Sequence, residues 1–184
     1  MGGHVGFESW LEREHAMMLD FDPAVAAFCS QPFWLRWQDG GRARRHAPDY
    51  FARMRDGSGL VIDVRADDMV GPEDAGVFEV TARACQSVGW AYRRSGVPDA
   101  VLTANLRWLA GYRHPRCRRG GHAGRLLDAF ASPGPLLDGV RGVGDPLAVW
   151  PAAYHLLWAG ELAADLTGGL LSAATVVTAA RGRA

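Results

Sequence analysis

The sequence predicts an α/β fold, with a central mixed sheet flanked by helices and a small, mostly helical C-terminal region. Three observations carry this reading. From Ser9 to Tyr112, helical and alternating patterns interleave as helix, strands, helix, strand, helix, which sets a sheet between helical layers. The 48% hydrophobic content, with seven Trp and seven Phe in 184 residues, is ample for a buried core. A basic, glycine-ended loop, 114–121, marks a boundary near Gly120 and suggests domains 1–120 and 121–184.

In order, Ser9–Asp20 reads as a helix, because Ser9 and Glu12 form the S-x-x-E capping pattern and Asp22-Pro23 stops it. Phe33–Gln38 alternates bulky and polar residues like a strand and runs into the turn Asp39-Gly40-Gly41. Tyr50–Arg55 and Leu60–Arg65, joined by Asp56-Gly57-Ser58-Gly59, read as a hairpin. A helix follows over about 73–88, then a strand at Trp90–Ser95 and a helix at Ala100–Tyr112. Past the boundary come a helix at His122–Ala131 and a Pro/Gly-rich stretch, Ser132–Pro146. The tail reads helix (Leu147–Gly160), helix (Glu161–Leu171), strand (Ala174–Val177), a winged-helix-like outline.

The formal net charge is zero, so charge alone argues for neither nucleic acid nor membrane. All 20 basic side chains are Arg, and none of these fixed cations can act as a proton-accepting base near neutrality. Three widely spaced Cys (29, 85, 117), without a CxxC, fit a reducing compartment. The first residues lack the pattern of a signal peptide, and the longest apolar stretch, Leu170–Ala180, is too short to span a bilayer. A cytoplasmic location is the expectation.

Three carboxylates sit where phosphodiester chemistry needs them. Asp49 opens a strand in Pro48-Asp49-Tyr50-Phe51, and Asp63 ends the next strand, before Val64 and Arg65. The hairpin brings both to one end of the sheet, and alternation sets Asp63 and Arg65 on one face. Glu12, from the first helix, offers a third oxygen ligand. Such oxygens suit Mg²⁺, with Mn²⁺ able to substitute, and Arg65 supplies a cation for developing negative charge. Each has a structural alternative. Glu12 closes the cap with Ser9, Asp49 is a turn former after Pro48, and Asp63 pairs with Arg65 inside a Val/Ile-rich strand.

The Pro-Asp, gap, acid-x-cation pattern resembles the PD-(D/E)XK nucleases. The longer string Ser9-Trp10-Leu11-Glu12, Asp22-Pro23-Ala24-Val25, Gln31-Pro32, Ala47-Pro48-Asp49-Tyr50-Phe51, Ile62-Asp63-Val64-Arg65 resembles, more narrowly, the catalytic region of the TnsA endonuclease subunit of heteromeric transposases. Asn105–Leu109 and Tyr112-Arg113-His114-Pro115 also look family-like. The resemblance implies a restriction-endonuclease-like sheet. It also implies metal contacts from Glu12, Asp49, Asp63 and Val64, with Arg65 as the strand cation where such nucleases usually carry Lys. Gln31 would position neighbouring groups. The implied activity is cutting at the 5′ ends of a mobile element in double-stranded DNA, beside a DDE-type transposase and an AAA+ ATPase regulator. An inactive nuclease fold serving DNA binding or transposase assembly, and a stand-alone defence nuclease, are the alternatives.

Residues 83–125 hold nine Arg against the single acid Asp99, and the rest of the chain balances them. Arg113, Arg116, Arg118, Arg119 and Arg125 form the densest part, an expected phosphate-contacting track, with an ordinary solvated face as the alternative. His114, Cys117 and His122 lack the spacing of a zinc site. His46 either touches phosphate or merely flanks its strand. Trp150, Tyr154, Leu157 and Trp158 make an aromatic stripe, read first as core and second as a docking face.

Overall fold

A computed structural model describes residues 5–118 and 121–180. The chain is mixed α/β and divides into two compact units, Met1–Pro98 and Asp99–Ala184.

The first unit opens with α1 (Trp10–Phe21), started by the Ser9 hydroxyl accepting from the Glu12 amide and stopped at Asp22 before Pro23. Then come β1 (Val25–Ser30), β2 (Leu35–Asp39), β3 (Arg42–His46), β4 (Tyr50–Met54) and β5 (Gly59–Val64). A single 3₁₀ turn, Asp67–Met69, leads to α2 (Pro72–Ser87) and β6 (Ala91–Ser95). The main sheet is mixed, in the order β1-β4-β5-β6: β4 runs antiparallel to β1 and β5, while β6 is parallel to β5. Strands β2 and β3 form a separate two-stranded sheet, an excursion between β1 and β4. Its tip, Gly40-Gly41, has φ of 54° and 81°, the doubly left-handed turn that matches the twist of a two-residue hairpin.

Strand alternation divides the main sheet's faces. Tyr50, Ala52 and Ile62 face the core with Leu19 of α1 and Val25, and Leu60 and Val64 pack around them. Val61 and Asp63 therefore point to the opposite face, and both are buried.

The second unit comprises α3 (Ala100–Ala110), α4 (His122–Ala129), β7 (Gly134–Pro135), α5 (Leu136–Val143), α6 (Pro146–Trp158), β8 (Leu162–Ala164) and β9 (Val176–Ala179). The short strands make an antiparallel sheet, β7-β9-β8. Its core is Leu106, Leu126, Phe130, Leu136, Val140, Val149, Leu156, Leu162 and Val177, all essentially inaccessible. Gly139 of α5 lies so close to the Phe130 ring that a Cβ there would sit 2.2 Å from it.

The structure departs from the sequence expectations in five places. Strands β1 and β3 were not anticipated: β1 is rich in small residues, and β3, Arg-Ala-Arg-Arg-His, has no apolar alternation. Helix α5 occupies part of the stretch read as a Pro/Gly-rich connection. Residues 161–171, expected to be helical, form β8 and a loop. There Asp165 accepts from the Thr167 and Gly168 amides. The buried Asn105 side chain binds the carbonyls of Leu166 and Gly169 and the amide of Leu171, which fixes the loop. Those bonds also tie α3 into the second unit, so the division falls before residue 99 where the sequence suggested one near 120. No helix among the described residues is long and apolar enough to cross a membrane, and the three cysteines are free.

Candidate active site

Asp49 and Asp63 come together at one end of the β4–β5 pair. The antiparallel register matches Tyr50 with Ile62, so Asp49, one residue before Tyr50, lies across from Asp63. The Asp49 carboxylate accepts from the Val64 amide at 2.6 Å, which ties it beside the Asp63–Val64 peptide. Pro48 is buried and fixes the entry of Asp49 to its strand.

Asp63 is 1% exposed. A buried carboxylate needs partners, and it has two: His46 Nε2 donates to one oxygen at 2.9 Å, and the Tyr92 hydroxyl donates to the other at 2.9 Å. Burial, and then the nearby Asp63 charge, hold the Tyr92 hydroxyl protonated well above its ordinary range. Burial and the same charge push the Cys85 thiol up.

Asp49 is pushed up to about 6. Burial is the main cause, and the negative charges of Asp63 and Glu12 add to it, while the Val64 hydrogen bond and His46 oppose it. Three acids thus share one electrostatic neighbourhood, although the Glu12 side chain is engaged in the cap. Its Oε1 accepts from the Ser9 hydroxyl at 2.8 Å and its Oε2 from the Glu8 amide at 2.8 Å. Its backbone carbonyl accepts from the Tyr50 hydroxyl at 3.1 Å, which fixes α1 over the start of β4.

Gln31 joins these parts. Its backbone is left-handed, φ 45°, a conformation that costs a non-glycine residue about 1–2 kcal/mol. Its amide donates to the Asp49 carbonyl at 2.9 Å and its side chain to Glu8 at 2.7 Å. The strain is offset by a link between the α1 cap and the Asp49 backbone.

Arg65 is directed elsewhere. Its guanidinium donates to the Met69 carbonyl at 3.3 Å and lies 3.5 Å from Asp74. Its own carbonyl accepts from Arg94, which also pairs with Asp67. Among the expected site residues, the structure therefore joins Asp49, Asp63 and Val64 directly, sets Glu12 nearby within a cap, and holds Arg65 in an ion pair. His46 was open to two readings in the sequence, and Tyr92 was not anticipated. A buried strand acid needing donors was the available signal, but it names no partner.

A hard divalent cation suits the oxygen chemistry of Asp49 and Asp63. Among the described residues, however, no three His, Cys, Asp or Glu side chains gather as a group able to hold a metal. Asp63's hydrogen bonds and Glu12's cap occupy oxygens that such a group would need.

The basic track is divided between the units, with Arg83, Arg93 and Arg94 in the first. In the second, Arg113, Arg116 and Arg125 are exposed. Arg118 is ion-paired with Glu161, and Arg125 also donates to the Gly121 carbonyl. Arg119 lies outside the described residues. His114 Nδ1 accepts from the Arg116 amide. The aromatic stripe splits: Leu157 and Trp158 are buried, whereas Trp150 and Tyr154 are half-buried and stack on each other, with Trp108 and Tyr112 against Tyr154.

In comparison with known proteins, no family model matches the chain, and no curated protein matches it either.

Proposed function

We propose that the chain is a metal-dependent DNA endonuclease subunit of a TnsA-like heteromeric transposase. The observation that carries this reading is the side-by-side placement of Asp49 and Asp63 at one end of adjacent antiparallel strands, with Asp49 held against Val64. Crowded carboxylates with a raised Asp49 pKa are relieved by a divalent cation. Mg²⁺ or Mn²⁺ there would polarise the phosphate and acidify a water. Asp49 and Asp63, with Val64, would hold it. Recruiting Glu12 requires its carboxylate to leave the cap.

Architecture supports the reading. In the first unit the order α1, β1, β4, β5, α2, β6 around a mixed sheet agrees with a restriction-endonuclease-like core carrying one inserted hairpin. In the second, the order α4, β7, α5, α6, β8, β9 with sheet order β7-β9-β8 agrees with a winged-helix-like module. The test is cleavage of element-end duplex DNA by the chain reconstituted with its transposase partner and regulatory ATPase in Mg²⁺ or Mn²⁺. Strand cutting by wild type and none by Asp49→Ala is expected. Absence of wild-type cutting, or full cutting by the variant, overturns it.

A second reading has its own observation: Asp63 is fully hydrogen-bonded and Arg65 is taken up by Asp74. Both suit a retired nuclease fold kept for DNA binding or assembly. Calorimetry with Mn²⁺ separates the two, since only the active enzyme shows binding that Asp49→Asn and Asp63→Asn abolish.

A further inference from the structure

We infer that the β2–β3 hairpin is an arm that binds the phosphate backbone of duplex DNA. It bears Arg36, Arg42, Arg44 and Arg45, all exposed, against one carboxylate, Asp39. None of these arginines was part of the expected DNA track. The hairpin pairs with no other strand among the described residues, so it forms a separate two-stranded ribbon. Five residues per strand give roughly 17 Å of length. The major groove, about 12 Å wide, admits a two-stranded ribbon.

The two faces of the ribbon differ. Trp37 and Arg44 are register partners, and Arg44 lies 3.6 Å from Asp39. These residues line a groove of about 610 Å³ that also contains Glu73, Asp74, Glu79 and Arg83 of α2 and is bordered by Arg45, so this side is of mixed charge. On the other face Arg36 stands directly opposite Arg45. Like charges so placed destabilise a hairpin. Among the described residues, no ion pair relieves either one. The Arg45 guanidinium is held over the Trp34 ring, 4.8 Å from its centroid, which fixes its direction without neutralising it. Two unneutralised, planar donor forks side by side on an exposed ribbon match successive phosphates, which arginine binds bidentately.

The arm also points to where the duplex runs. His46 ends β3 and its ring donates to Asp63, so the root of the arm adjoins the acid pair. That positional statement rests on the nuclease reading; the binding statement does not.

The test is fluorescence anisotropy of the full chain with a labelled 30-base-pair DNA duplex in EDTA, across a salt series. Wild type binds, and Arg36→Gln/Arg45→Gln weakens binding at least about tenfold and lowers the salt slope by about 2. Arg36→Lys/Arg45→Lys keeps the slope, and the melting temperatures show that the variants fold. Binding unchanged within twofold in the Gln variant overturns the proposal. So does a wild type that fails to bind in 50 mM salt, or competition by polyglutamate equal to that of unlabelled duplex. A chain that binds through the arm but never cuts defeats the nuclease reading alone.

Discussion

Asp49→Asn should make the protein more stable at neutral pH. In the folded chain the Asp49 carboxyl is pushed from 3.8 up to about 6, mainly by burial and then by Asp63 and Glu12. A raised acid favours its protonated form in the folded state, so its contribution is fully present below about pH 4 and is lost as pH climbs through 6. The gap between those values corresponds to a ceiling of about 3 kcal/mol. Asp49 is only half-buried, and solvent screening reduces this to about 1–2 kcal/mol. Asparagine keeps an acceptor for the Val64 amide and carries no charge, so it removes the penalty above pH 6 and changes little at pH 4. Urea unfolding at pH 4.0 and 7.5 reads the difference directly. The variant gains about 1–2 kcal/mol at pH 7.5 and within about 0.5 kcal/mol of nothing at pH 4.0. An Asn variant no more stable than wild type at pH 7.5 refutes the crowded-acid account of this site.

Three further outcomes follow from the packing and hydrogen bonds. On the proposed metal-dependent reading, Mn²⁺ at millimolar concentration should raise the wild-type melting temperature at pH 7.5 and leave that of Asp49→Asn unmoved, because a cation bound there would relieve the charge that the variant lacks. Tyr92→Phe removes one of the two donors to buried Asp63 and should cost about 1–3 kcal/mol in urea unfolding at pH 7.5. Gly139→Ala drives a methyl into the buried Phe130 ring and should cost about 1–3 kcal/mol, a value that Phe130→Leu in the same chain partly restores.

Much of the first unit was legible because its signals are local. The Ser9–Glu12 cap, the Asp22-Pro23 stop and the turn at 56–59 act within a few residues, and each lies where the sequence set it. Alternation also carried Asp63 to the face opposite Ile62. Strand β3 was hidden because its stability comes from pairing with β2 and not from burial of a face. The loop after β8 was hidden because Asn105, some sixty residues earlier, supplies its hydrogen bonds. The partners of Asp63 were illegible for the same reason. His46 and Tyr92 reach it from different strands, and no spacing rule links them. The direction of Arg65 depended on Asp74 of α2, which shares its carboxylate with the Gly71 amide.

Strands β1 and β4 meet at Ser30 and Tyr50, and the Gln31 amide closes on the Asp49 carbonyl one step beyond. The chain therefore departs for the Arg-rich ribbon and returns at a single point. A segment anchored in this way can change in length or charge without altering the strand order of the main sheet. If the ribbon grips DNA as proposed, its grip and the placement of the acid pair are separately adjustable by mutation, and among the described residues His46 is the ribbon side chain bonded to Asp63.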